Sequence, residues 1–165
     1  MSRIGNTVNL ESNSRYDLLI YDFPDGYPSG TIALGFGVTP KRISGIEKCS
    51  QIFIKTLLTL VSSDVVNSSR GTMFPSFTGT HNLQSTNLNE VDAEIRDAIR
   101  EAESQAKSIL NVPSEGLTSQ LESVNIIKID QLLDSTTVTV QLLTKAGEKA
   151  PIALPFTSLG LRVDS

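Results

Sequence analysis

Apolar residues recur three and four positions apart over two stretches of the chain, and two apart over later ones; the change of period lays out the elements. In the first stretch Ile46, Cys49, Phe53, Leu57 and Leu60 fall on one helical stripe, widened by Ile52, Ile54, Leu58 and Val61. So wide an apolar surface predicts a helix buried on more than one side. Ser44-Gly45-Ile46-Glu47 fits the S-x-x-E capping box at its start, and Ser62-Ser63-Asp64 reads as its end. In the second stretch Leu88, Val91, Ile95, Ala98, Ala102, Ala106 and Ile109 make an apolar face. Asn87 and Glu90 stand at its capping positions, Asp92/Arg96 and Glu103/Lys107 are acid-before-base pairs four apart, and Pro113 and Gly116 close it.

Beyond residue 120 the period shortens. Val124 to Ile129 reads as a strand and Asp130 to Ser135 as a connection. In the next strand Val138, Val140 and Leu142 share one face, with Thr137, Thr139 and Gln141 on the other. Lys145-Ala146-Gly147-Glu148 is a hairpin turn, after which Ile152, Leu154 and Phe156 alternate. Pro151 and Pro155 donate no ladder bond, which assigns this last strand to a sheet edge. The three make an antiparallel meander.

Between the helices lies Arg70-Gly71-Thr72-Met73-Phe74-Pro75-Ser76-Phe77-Thr78-Gly79. It reads as a loop holding both helices together, with Arg70, Gly71, Phe74, Pro75, Phe77 and Gly79 as its structural residues. The aromatics are expected to plug the helix–sheet seam and Gly79 to allow a turn. The first forty residues differ in character. Tyr16 to Tyr21 is strand-like, Pro24-Asp25-Gly26 and Pro28-Ser29-Gly30 are turns, and Thr31 to Val38 is an apolar run weakened by Gly35 and Gly37. The expected fold is α+β: two packed helices on a small antiparallel sheet over residues 41–165, preceded by an extended N-terminal arm over 1–40.

At 165 residues the chain suffices for one core. Its net charge of −4, with 14 basic residues thinly spread, argues against a phosphate-binding surface and hence against nucleic acid. Ile52 to Val61 is the most apolar window; interrupted by Lys55, it falls short of the roughly 20 residues a bilayer requires. The first residues have no signal-peptide pattern. Cys49 is the single cysteine, which fits a reducing compartment and a small buried hydrophobe.

Candidate chemistry adds little. His81, the sole histidine, sits in a polar run with no evident orienting acid or nucleophile. One cysteine and one histidine are a poor start for a zinc site. Paired carboxylates such as Glu47 with Asp64, or Glu90 with Glu94, fall on capping positions or a solvated helix face. Gly35-Phe36-Gly37 is too short for a dinucleotide fingerprint. No catalytic, cofactor-binding or metal residue is assigned, and no cofactor is expected.

The order of parts resembles a family. From about Ile43 to Phe156 the chain resembles the short baseplate wedge proteins of contractile phage tails, the protein-W and gene-twenty-five type, with counterparts in type VI secretion baseplates. The residues that carry the resemblance are Arg70-Gly71, Pro75, Phe77 and Gly79 in the loop, then the helix Ile95 to Leu110. The strands Val124 to Ile129 and Thr136 to Leu143 follow, and then Ile152-Ala153-Leu154-Pro155-Phe156. The family's Glu-Pro-Arg after the second helix is replaced by Asn111-Val112-Pro113-Ser114-Glu115-Gly116. The resemblance implies a structural protein of the virion, assembled in the host cytoplasm and present in several copies in a symmetric baseplate. Its partners would be other wedge proteins, hub proteins and the tail sheath protein. It also implies that strands are offered to the first sheath ring, with Val138, Val140, Leu142, Ile152, Leu154 and Phe156 on the candidate partner-binding strands. Two rival readings are a lysozyme-like hydrolase acting on peptidoglycan and a cytosolic adaptor unrelated to phage.

Overall fold

The computed structural model describes residues 17–18, 21–22, 33–34, 42–78, 88–131 and 135–157. Four two-residue strands come first: β1 (Asp17–Leu18), β2 (Tyr21–Asp22), β3 (Ala33–Leu34) and β4 (Arg42–Ile43). Helices α1 (Gly45–Leu57), α2 (Phe74–Thr78) and α3 (Leu88–Leu110) follow, then a 3-10 turn at Leu117–Ser119. Strands β5 (Leu121–Gln131), β6 (Ser135–Thr144) and β7 (Lys149–Thr157) complete the described chain. The mixture of helix and antiparallel sheet is that of the α+β class. Most of residues 1–40 lies outside the described residues; β1 pairs with β4, and β2 with β3.

α1 starts at the expected place, but the expected cap is not the one used. Ser44 makes no side-chain cap bond. Instead the Gly45 N–H donates to Ser119 Oγ at 2.9 Å, so a residue far along the chain satisfies the first helical donor. Gly45 itself has φ +59, a left-handed conformation that glycine adopts without a Cβ penalty. The helix also ends earlier than its apolar stripe. It stops at Leu57, with Leu58 as C-cap: the N–H groups of Leu58 and Thr59 still donate back to Ile54 O and Thr56 O, and beyond them the chain turns to bond with Thr72. Thr72 N–H donates to Thr59 O (2.8 Å), Val61 N–H donates to Thr72 O (3.1 Å), and Thr72 Oγ1 donates to Leu57 O (2.8 Å).

Nearly every side of α1 is covered, as the wide stripe implied. Cys49, Phe53, Ile54 and Leu57 are fully buried, and burial pushes the Cys49 thiol up to about 12. Polar residues are covered too. Gln51 Nε2 donates to Leu18 O (2.7 Å) and Asp17 Oδ2 (3.2 Å), so β1 sits against this helix. Lys48 Nζ lies 2.7 Å from Glu115 Oε1, with side chains only 10% and 4% exposed. That pair ties α1 to the segment between α3 and β5.

α3 packs on α1 and on β5, while α1 also touches β6 and β7. Ile95, Ala98, Ala102 and Ala106 are buried as the pattern required. At the last turn the stripe rotates: Leu110 is buried and Ile109 is exposed, with Ile99 buried in addition. The Asp92–Arg96 and Glu103–Lys107 pairs both form, at 2.7 Å each.

The sheet order is β5-β6-β7, antiparallel throughout. β5 is longer than its alternating run because it has two register shifts, at Leu121/Ser123 and Ile126/Lys128. Each inserts one residue, Glu122 and Ile127, so that Leu121, Val124, Ile126 and Ile129 all keep to the core side despite their changing parity. The turn after β6 contains Gly147 at φ +89, where a left-handed residue lets the two strands reconnect.

The parity of β7 follows from that turn. Thr144 N–H donates to Glu148 O (2.9 Å), and Leu142 pairs with Ala150 and Val140 with Ile152. Alternation then points the backbone groups of 150, 152 and 154 at β6, and those of 149, 151, 153 and 155 away from it. Both prolines therefore stand where their missing N–H costs no ladder bond, on a strand at the sheet edge.

Candidate functional site

Among the described residues, a cluster of exposed apolar side chains lies in residues 58–73, between α1 and α2. Leu58, Leu60, Val65, Val66 and Met73 are all exposed there, and Ile109 at the end of α3 is exposed as well. Val65 and Val66 are 101% and 96% accessible. Two adjacent β-branched residues left wholly in water gain nothing from burial in the fold.

The loop that carries them is held by hydrogen bonds rather than by a core. Asp64 Oδ1 accepts from the N–H groups of Val66 (2.9 Å) and Asn67 (3.2 Å), a local turn that fixes the valines. These two backbone donors, with help from Arg70, hold the Asp64 carboxyl below its usual range. Asn67 Oδ1 accepts in turn from Ser69 N–H and Ser69 Oγ, and Ser62 N–H donates to Ser68 O (3.0 Å). Ser62 has φ +69, which costs a non-glycine residue about 1 kcal/mol or more.

Gly71 anchors the far side. The Gly71 N–H donates to Gln105 Oε1 (2.9 Å), and Gln105 Nε2 donates back to Gly71 O (2.8 Å). One side-chain amide on α3 thus grips both backbone groups of one loop residue. Only glycine fits this position. Its φ is +105, and a Cβ would collide with Thr59 O and stand 2.9 Å from the Leu60 carbonyl carbon.

Between loop and helix lies a pocket of about 440 Å³ lined by Asp64, Val66, Asn67, Ser69, Arg70, Gln105, Ser108 and Ile109. Arg70 Nη1 is 3.8 Å from Asp64 Oδ2, a loose contact. Its Nε is buried and has no acceptor among the described residues. The lining is mainly polar, with Val66 and Ile109 as its apolar members and one base and one acid among the rest.

Among the residues singled out from sequence, Arg70 and Gly71 belong to this site. Phe74 is buried in the core and Pro75 is half-buried. The segment Phe74–Thr78 is a short helix, not the loop expected there; Thr72 Oγ1 accepts the Phe74 N–H (3.1 Å) at its start, and proline is tolerated in a first turn. Phe77 lies in that helix with its side chain outside the described residues, where Gly79 and His81 also lie. Val138, Val140, Leu142, Ile152 and Leu154 are buried in the core. Their strands differ, however: among the described residues β6 is paired on both sides, whereas β7 is paired on one. Phe156 pairs with Thr136, its side chain outside the described residues.

Val65, Val66 and Gln105 escaped sequence reasoning, and Asp64 was read as a helix end and a solvated carboxylate without this role. A signal was present for the valines, since Val65-Val66 is an apolar pair isolated within a polar run that opens on Asp64. Gln105 carried none, because one glutamine on a helix flank resembles any other. Among the described residues, no group of three His, Cys, Asp or Glu is placed to hold a metal ion, and no helix is long and apolar enough to cross a membrane. Compared with protein-family models, curated proteins and solved structures, the chain matches none.

Proposed function

We propose that this chain is a structural assembly component that works by contact rather than by bond chemistry, and specifically a baseplate wedge protein of a contractile tail. The observation that carries the assembly reading is the Val65-Val66 tip: fully exposed apolar side chains on a loop immobilised by Asp64 and Gln105. An immobilised tip binds with less ordering cost than a flexible one, which is the advantage of a built docking surface. The wedge assignment rests on the order of helix, Arg70-Gly71 segment, second helix and closing strands, and on two helices packed with a small sheet. In this reading the tip engages other wedge or hub proteins.

The edge of β7 supplies the strand contact with the sheath. Outward-pointing carbonyls of Pro151, Ala153 and Pro155 can accept, and between the prolines only Ala153 can donate. Such an edge discourages indiscriminate pairing while leaving a partner strand one two-way bonding position between the prolines.

Co-expression of the tagged full chain with the proteins encoded beside it, resolved by size exclusion, tests this function. Stable co-elution with tail proteins is the expected result. A lone monomer in the presence of every neighbour overturns the reading.

A further inference from the structure

The geometry points to Gln51 as a latch that holds β1–β4 on α1 as one unit, which opens while the core stays folded. The two short ladders are nested: β2 and β3 lie between β1 and β4 in the chain. Both pairs are antiparallel, with Asp17 opposite Ile43 and Tyr21 opposite Leu34. Nested pairs draw on the same two stretches of chain, and the contacts of β1 and β2 are chiefly with β4 and β3. Strands joined to one another more than to the core open together, at the low end of a protein's stability range.

What ties this unit to the body is polar. Gln51 Nε2 donates to Leu18 O (2.7 Å) and to Asp17 Oδ2 (3.2 Å). Leu18 is 53% exposed, so its side chain adds little apolar burial to the contact. Gln51, by contrast, is shut away from water. Opening strips both acceptors from a desolvated donor, which is what closes the latch. Water readily restores the bonds of the exposed strand, which is what lets it open. The root stays fixed, because Ile43 is buried and the Gly45 N–H donates to Ser119 Oγ at 2.9 Å. An opened unit pivots ahead of Gly45 and leaves the start of α1 in place, a hinge by which an assembly protein extends an arm without unfolding its core.

Hydrogen exchange on the full chain, followed amide by amide, tests the inference. Amides of β1–β4 should be protected in the wild type, less than those of Phe53 and Val140. Gln51→Leu keeps the bulk of the side chain and removes both bonds. It should accelerate exchange throughout β1–β4 by a common factor of about ten or more, with Phe53 and Val140 unchanged. Asp17→Ala removes only the longer bond. It should give a smaller acceleration in the wild type and none in the Gln51→Leu background. Unprotected wild-type strands overturn the inference, as does unchanged exchange in β1–β4 of Gln51→Leu. So does acceleration that spreads equally through α1 and the sheet, or that reaches β1 and β4 without β2 and β3. Should Gln51→Leu fail to fold, Asp17→Ala decides alone: acceleration confined to β1–β4 supports the latch, and none overturns it. The measurement reads the isolated chain, so its failure is distinct from a failure to co-elute with neighbouring proteins.

Discussion

The seam between α1, α3 and the sheet and the loop of residues 58–73 are neighbours that hold their order by opposite means. In the seam Phe53, Leu57, Ala102, Ala106 and Leu142 are shut away from water, and apolar burial does the holding. In the loop the large apolar groups face out, and a set of directed bonds does it: Asp64 to Val66 and Asn67, Thr72 to Leu57 and Thr59, Gln105 to Gly71. A loop in which hydrogen bonds hold the backbone is free to leave its valines for a partner. The difference teaches where to look for function: where order and burial part company.

The largest expected effect is in the seam. Phe53→Ala should lower global stability by about 3–5 kcal/mol, read from the urea midpoint, because the cavity has no solvent to refill it. Gly71→Ala should come next, at about 2–3 kcal/mol or more, since both its φ and the approach of Thr59 forbid a side chain. Gln105→Ala should cost about 1–2 kcal/mol, with amide exchange accelerated at residues 69–72 and not in α1. If Gln105→Ala instead loosens the whole molecule equally, loop and seam are one unit and the comparison fails.

The two regions should also part in their response to pH. Burial raises the Cys49 thiol from its ordinary 9.0 to about 12, so its contribution is full below pH 9.0 and declines as pH rises from there towards 12. Asp64 runs the other way. Its depressed carboxyl supports the loop above the ordinary 3.8, and that support fades as pH falls through the lower folded value. Urea midpoints in alkali should therefore flatten in Cys49→Ala. In acid, amide protection at Val66 and Asn67 should be lost before that of the core helices.

How much of this was legible in the sequence depended on whether neighbours in the chain or distant residues made the structure. The stripes of α1 and α3, the hairpin at Gly147 and the edge position of β7 all follow from local period or from a missing N–H. The cap of α1 does not: Ser44-x-x-Glu47 had the right letters, yet Ser119 makes the bond. The early end of α1 was equally hidden, because beyond Thr59 the chain turns to bond with Thr72 and nothing within the apolar run announces it. Ile109 fitted the stripe as well as Leu110 did, and packing chose Leu110. At the candidate site Arg70 and Gly71 stood out by composition. The amide grip of Gln105 joins residues 34 apart in sequence, beyond any local signal.

The central claim is that the clamped loop presents its valines to partners. Its most direct test is to replace both, Val65→Asp with Val66→Asp, and to compare this variant with the wild type in two measurements. These are melting midpoint and co-elution with the neighbouring proteins it is expressed beside. Because both side chains are solvent-exposed, stability should stay within about 0.5 kcal/mol of the wild type. The account predicts that melting is unchanged and co-elution is lost. Full co-elution by the folded double variant would contradict it.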